Sequence, residues 1–246
     1  MSNQKKVAFI TGANRGIGLQ TARELGKEGF VVVLGVRDPG KGEAALVELR
    51  AAKIEADLVA YDATRPETDE QVRAYLETKY GHLDVLVNNA GIAREQLFGQ
   101  PNAATVSQDV LRETFETNVF AVIRLTQALL PLLHKAPAGR IVNLSSILGS
   151  LGVHSAEGSP LAQAKALAYN ASKSALNAFT VHLADQLRGT PIKVNAAHPG
   201  WVKTELGGPG APMELADSAR TSVRLATLGP DGPTGGFFHE NDRLPW

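Results

Sequence analysis

Tyr169 and Lys173 lie four residues apart and so share one face of a helix. A free phenol titrates near 10, too high for efficient proton exchange at neutral pH. An ammonium beside it favours the phenolate and lowers that value. The pair can then donate a proton to a carbonyl oxygen or remove one from an alcohol. By itself this spacing is equally that of a surface pair. Two further features sharpen it: the hydroxyls Ser145 and Ser146 in Asn143-Leu144-Ser145-Ser146, and a glycine-rich turn near the start of the chain.

That turn is Thr11-Gly12-Ala13-Asn14-Arg15-Gly16-Ile17-Gly18. It stands between an apolar, strand-like run and a helix-period segment. Glycines let backbone N–H groups approach a pyrophosphate, and the helix N-terminus adds a partial positive charge. A dinucleotide site needs a group about 20 residues further on to read the adenosine ribose. Arg37 stands 19 residues past Gly18, with Asp38 after it. A guanidinium there grips the 2′-phosphate of NADP, whereas a carboxylate accepts from the 2′-hydroxyl of NAD. With Arg15 inside the turn, two cations favour NADP(H). The alternative leaves Arg37 solvated and gives the ribose to Asp38.

Alternating elements must position these groups. Strand-like runs are 6–11, 30–36, 58–62, 83–88, 139–145, 192–197 and 236–239. Helix-period segments are 16–27, 42–52, 66–80, 106–118, 119–133, 168–188 and 213–227. Near-continuous apolar strands imply a parallel sheet covered on both faces. The reading is an α/β fold, a doubly wound, three-layer, Rossmann-type sheet in a single domain over 1–246.

Composition narrows the function classes. The 246 residues carry 25 basic and 25 acidic side chains, with 43% hydrophobic. Neither balance nor runs give an electrostatic footprint for nucleic acid. No stretch of 18 apolar residues marks a membrane span. The start, MSNQKK, lacks the pattern of a secretory signal. Without cysteine there is no disulfide or thiolate metal site, and a reducing cytoplasm is the natural compartment. The six histidines form no zinc-binding pair, so no metal is expected.

Taken in order, the glycine turn, Asn88-Asn89-Ala90-Gly91, Asn118, the Ser145-Ser146 pair, Tyr169-Asn170-Ala171-Ser172-Lys173 and His198-Pro199-Gly200-Trp201-Val202-Lys203-Thr204 resemble the short-chain dehydrogenase/reductase family, in particular its NADPH-dependent carbonyl reductases. The resemblance implies a hydride transfer between NADP(H) and a small carbonyl or alcohol, most simply the reduction of ketones or aldehydes. It makes Tyr169 the acid/base and gives Lys173 a second task at the nicotinamide ribose. It makes Ser146, rather than Ser145, the hydroxyl that holds the substrate oxygen, and Asn118 the support of a proton relay. It implies cofactor contacts from Gly12, Asn14, Arg15, Gly16, Ile17, Gly18, Arg37, Asp62 (otherwise a strand-end cap), Asn88, Ala90, Gly91, Pro199, Gly200, Val202 and Thr204. The apolar residues Phe98, Ile147, Leu148, Trp201 and Leu206 are candidates to line a substrate pocket.

One departure stands out. Ser146 and Tyr169 are 23 residues apart, about ten more than is usual in the family, a tolerable insertion in a functional loop. The added stretch lies within about 148–167. It is expected over the site mouth or across the face where relatives dimerise, and favours a monomer over a homodimer or tetramer. His154, within it, reads as a solvent-exposed polar residue. Two rivals remain: an NAD-linked alcohol dehydrogenase working oxidatively, and a non-catalytic dinucleotide sensor.

Overall fold

A computed structural model describes residues 5–246; the opening residues 1–4, part of the leader reading above, lie outside the described residues. Seven parallel strands and one antiparallel edge strand form a single sheet in the order β3-β2-β1-β4-β5-β6-β7-β8. The strands are β1 Val7–Thr11, β2 Val31–Val36, β3 Ala56–Ala60, β4 Val85–Asn88, β5 Arg140–Leu144, β6 Lys193–Ala197, β7 Phe237–His239 and β8 Asp242–Arg243. The order reverses between β1 and β4, the switch point outside whose carboxyl ends a crevice opens.

Strand alternation builds two cores. Ala8 and Ile10 of β1 face one side, where they meet Leu25 of α1 (Gly16–Lys27), Leu49 of α2 (Pro39–Ala51) and, at the far end, Leu225 of α8 (Arg220–Ala226). Val7 and Phe9 face the other, with Leu76 of α3 (Glu67–Tyr80), Leu129 of α5 (Ala121–Lys135) and Leu183 of α7 (Leu167–Gln186). Each such buried Leu or Phe contributes about 1.5–3 kcal/mol relative to exposure, and this two-sided burial holds the strand ends in register.

Three departures from the sequence reading matter. The segments expected as separate helices at 106–118 and 119–133 form one continuous rod: α4 (Gln108–Phe115), a π-helical turn (Glu116–Phe120) and α5. Asn118 sits in that wide turn, a feature often found at functional sites. The expected helix at 213–227 is shorter. Met213 instead pairs with Val202 in a β-bridge, and only a 3₁₀ turn (Leu215–Asp217) precedes α8. The stretch 148–167 is not simply a loop. A 3₁₀ turn (Ile147–Gly149) leads into α6 (Leu151–Ser155), whose Gly152 N–H donates to the Trp246 carbonyl at 2.7 Å.

Candidate active site

The glycine turn leaves β1 and is clasped from β4. Thr11 Oγ1 accepts from the N–H groups of Asn89 (3.0 Å) and Ala90 (2.9 Å). Asn89 Nδ2 donates to the Thr11 carbonyl at 2.7 Å. Gly12 and Gly16 have φ of +65° and +58°, values L side chains rarely adopt. A Cβ on Gly18 would fall 2.5 Å from Asn89 Nδ2 and the Gly12 carbonyl, so only glycine lets the turn and helix approach. The N-terminus of α1 has no side-chain cap and no acidic residue in its first turn, which leaves its N–H groups for an anion. Asn14 and Ile17 lie in this same segment.

Sequence reasoning missed Thr11 and Asn89, although the paired motifs Thr-Gly and Asn-Asn at two adjacent strand ends carried the signal. It placed Asn88 at the cofactor, and the structure turns that side chain away. Nδ2 of Asn88 donates to Asn143 Oδ1 (2.8 Å) and Thr126 Oγ1 (3.1 Å), inside the layer between β4, β5 and α5. The reason is strand alternation: successive side chains point to opposite faces.

At the end of β2, Arg37 is exposed and makes no ion pair among the described residues. Asp38 caps α2, accepting from Gly40 N (3.0 Å) and Lys41 N (3.4 Å). Arg15 pairs with Glu205 at 2.5 Å, both exposed, linking the glycine turn to the segment after β6. Asp62 Oδ1 accepts from the Thr64 amide (3.0 Å) and hydroxyl (2.8 Å), the strand-end turn that was its alternative reading. In the segment after β6, Gly200 adopts φ +93°, Val202 is buried, and Thr204 Oγ1 accepts from Gly207 N at 3.0 Å. Pro199 lies two residues past the end of β6.

Tyr169, Lys173 and Ser146 come together where β5 meets α7. Ser146 is the hydroxyl that acts on the Tyr169 phenol, and the Lys173 Nζ lies over the Tyr169 ring, 5.6 Å from its centroid. Ser145 faces elsewhere. Its hydroxyl donates to Asn177 Oδ1 at 2.6 Å, so of the two serines it is Ser146 that meets the phenol. Lys173 Nζ donates to the Leu144 carbonyl at 2.8 Å, using one of three N–H bonds. A Cβ on Gly91 would stand 3.3 Å from Asn118 Oδ1 and 3.5 Å from Lys173 Nζ. Glycine there keeps the crevice beside the amine open. Asn118 joins the loop after β4 to α7. It accepts from Ile92 N (2.8 Å) and donates to the Ile92 carbonyl (2.9 Å) and Ser172 Oγ (3.0 Å).

The electrostatics differ from the sequence expectation. Burial pushes Tyr169 up to about 12, against a lowering from the Ser146 hydrogen bond. Burial likewise brings Lys173 down to about 8. Desolvation penalises the charged form of each; at the phenol only Ser146 acts against it, and the expected acidification by Lys173 does not emerge. His154 is also unlike its reading. It is half-buried, with Nε2 on the Leu148 carbonyl (3.0 Å) and Nδ1 on Lys165 Nζ (3.0 Å), and burial lowers its pKa.

Apolar groups flank the phenol. Leu148 is buried with Tyr169, Ala164 and Ala166, and Ile147 and Leu97 pack on them. Leu97 was missed by sequence reasoning. Phe98 and Trp201 meet at a 34° tilt with centroids 4.7 Å apart, though they are 46% and 43% exposed. Leu206 is exposed.

A glycine turn at the switch point and a Ser-Tyr-Lys cluster beside it define a dinucleotide-dependent oxidoreductase architecture. The chain belongs to the short chain dehydrogenase family, whose model matches residues 6–214. It is similar to carbonyl reductase [NADPH] 1 of Mus musculus, at 33% identity over all of both chains. It superposes on the NADPH-bound carbonyl reductase from chicken fatty liver with a TM-score of 0.85 and 29% identity, covering 98% of this chain and 99% of that one. The Drosophila melanogaster carbonyl reductase Sniffer gives a TM-score of 0.83 at 30% identity, over 99% and 100% of the two chains.

Proposed function

We propose that this protein is an NADPH-dependent carbonyl reductase that converts ketones or aldehydes to alcohols. The observation that carries the reading is the buried Tyr169 side chain, with Ser146 acting on its hydroxyl and the Lys173 amine over its ring.

The residues fit NADP(H). The uncapped N-terminus of α1 and the open space at Gly16 suit the pyrophosphate. The exposed Arg37 suits a 2′-phosphate, while Asp38 is engaged in capping α2. Arg15 reaches the phosphate by exchanging Glu205 for it. Lys173 holds the nicotinamide ribose through its remaining N–H bonds, beside the space that Gly91 leaves. The similar mouse carbonyl reductase [NADPH] 1 and the NADPH-bound chicken carbonyl reductase agree with this coenzyme.

When bound, the reduced nicotinamide supplies hydride to the carbonyl carbon. Ser146 donates a hydrogen bond to the substrate oxygen and stabilises the charge that develops there. Tyr169 gives its proton to that oxygen. Raised by burial, the phenol holds its proton in the neutral range and is available as a donor. Lys173, cationic below about 8, favours the phenolate left behind. Asn118 supports proton resupply by fixing Ile92 and Ser172. Leu148, Ile147, Phe98, Trp201 and Leu206 offer apolar surface for the rest of the substrate.

An insertion within 148–167, over the site mouth or across a dimerising face, favours a single working chain over a homodimer or tetramer. A cysteine-free composition is in keeping with a reducing cytoplasm. The functional test is NADPH oxidation by the purified protein over a panel of aromatic and aliphatic ketones and aldehydes. Turnover with NADPH well above that with NADH supports the reading; absence of turnover across the panel overturns it.

A further inference from the structure

Helix α7 carries Tyr169 in its first turn, yet its own sequence supplies no cap. Ala166 stands at the N-cap and has no side-chain acceptor. The first N–H groups of a helix need partners. Helices α2, α4 and α6 take theirs from the adjacent Asp38, Ser107 and Ser150. Those of α7 come instead from the connection between β4 and α4. Asn102 Oδ1 accepts from Leu167 N at 3.0 Å. Glu95 accepts from Ala168 N at 3.3 Å through one oxygen and from Tyr169 N at 2.8 Å through the other. Asn102 Nδ2 donates to Glu95, which joins the two caps. A carboxylate at this end also meets the positive end of the helix dipole.

The same connection borders the substrate side of the site. Leu97 packs on the cluster that holds Tyr169, and Phe98 lies against Trp201. Glu95 therefore bridges the segment packed around the Tyr169 side chain and the backbone N–H of Tyr169 itself.

We propose that Glu95 is a positioning residue: it aims the Tyr169 hydroxyl and couples that aim to the loop carrying Leu97 and Phe98. The inference rests on Tyr169 being the proton donor. Displacing a reacting group by about 1 Å can cost on the order of 10²-fold in rate. A brace on the donor's own amide is thus a sensitive place to act.

The test uses the full chain with NADPH and a ketone turned over by the wild type. For Glu95→Ala, kcat falls about 10-fold or more and the ketone KM rises, while the NADPH Kd stays within about twofold of wild type. Glu95→Gln keeps an oxygen for the Tyr169 amide and restores most of kcat. Amide hydrogen exchange gives a readout independent of turnover: the first turn of α7 exchanges faster in Glu95→Ala, and the turn around Leu183 does not. Wild-type kcat in Glu95→Ala, or unchanged exchange at the first turn, overturns the proposal. So does an equal loss in the Ala and Gln variants accompanied by weakened NADPH binding, the mark of a general structural defect. A wild type inactive on all carbonyls would refute the functional reading alone, and the exchange result would still decide the role of Glu95 as a brace.

Discussion

Lys173 holds its ammonium over the ring face of Tyr169, 5.6 Å from the centroid, with both side chains buried. The same desolvation acts on them in opposite directions, raising the phenol to about 12 and lowering the amine to about 8. In the coenzyme-free protein the pair is a protonated acid beside a cation kept at some cost in stability.

That cost has a defined pH dependence. The folded-state pKa of Lys173, about 8, is below its unfolded value of 10.5. Below pH 8 the penalty of a buried ammonium is fully present. Between 8 and 10.5 the unfolded chain binds the proton that the folded one has lost, so the penalty fades as pH rises. In denaturant melts across this range, the stability of Lys173→Met relative to wild type is expected to decline by an amount on the order of 1 kcal/mol or more. A difference independent of pH would mean that the amine is not desolvated.

The two adjacent serines separate chemistry from architecture. Ser146→Ala is expected to lower kcat about 10²-fold, because it removes a donor to the developing oxyanion, and to cost about 1 kcal/mol in stability because Leu148 N loses its cap. Ser145→Ala instead strands the buried Asn177 Oδ1, held at 2.6 Å, and costs about 1–3 kcal/mol in stability. Paired kinetics and denaturant melts check both, and the opposite assignment of effects would exchange their roles.

Coenzyme choice is expected to lie with Arg37. Arg37→Asp removes a charge-assisted bond to the 2′-phosphate, worth about 1.5–3 kcal/mol, and adds an acceptor for a 2′-hydroxyl. The ratio of kcat/KM for NADPH over NADH should fall at least about 10-fold, and the preference should reverse. An unchanged ratio would place the phosphate on other residues, with Arg15 the first candidate.

The rings of Phe98 and Trp201 meet at an angle and leave an exposed apolar surface, which the account gives to the substrate. Phe98→Ala is expected to raise KM for bulky aromatic ketones about 10-fold, and to leave small aliphatic aldehydes nearly unaffected. Equal effects on both classes would remove Phe98 from the substrate wall.

Local signals in the sequence made much of this architecture legible. The apolar strand runs, the glycine turn between β1 and α1, and the four-residue spacing of Tyr169 and Lys173 all depend on neighbours in the chain. What escaped depends on distance or on subtle geometry. The π-helical turn around Asn118 changes a hydrogen-bond register that composition does not mark. The inward direction of the Asn88 side chain depends on Thr126 and Asn143, 38 and 55 residues away in the chain. His154 was read as solvated because its partners, Leu148 and Lys165, meet it only when 148–167 folds back as α6 and its flanking turns. Glu95 gave no signal, since its partners Ala168 and Tyr169 lie more than 70 residues away. The expected acidification of Tyr169 was derived from charge alone, and burial reversed it.

The central claim is that the Tyr169 hydroxyl delivers the proton. Its most direct measurement is single-turnover reduction of a ketone by NADPH-loaded Tyr169→Phe, alongside its NADPH Kd. Loss of a positioned general acid predicts a rate lower by about 10²–10⁴-fold, with coenzyme affinity unchanged because the ring and Lys173 remain. A Tyr169→Phe enzyme that reduces the ketone at the wild-type rate would contradict the account.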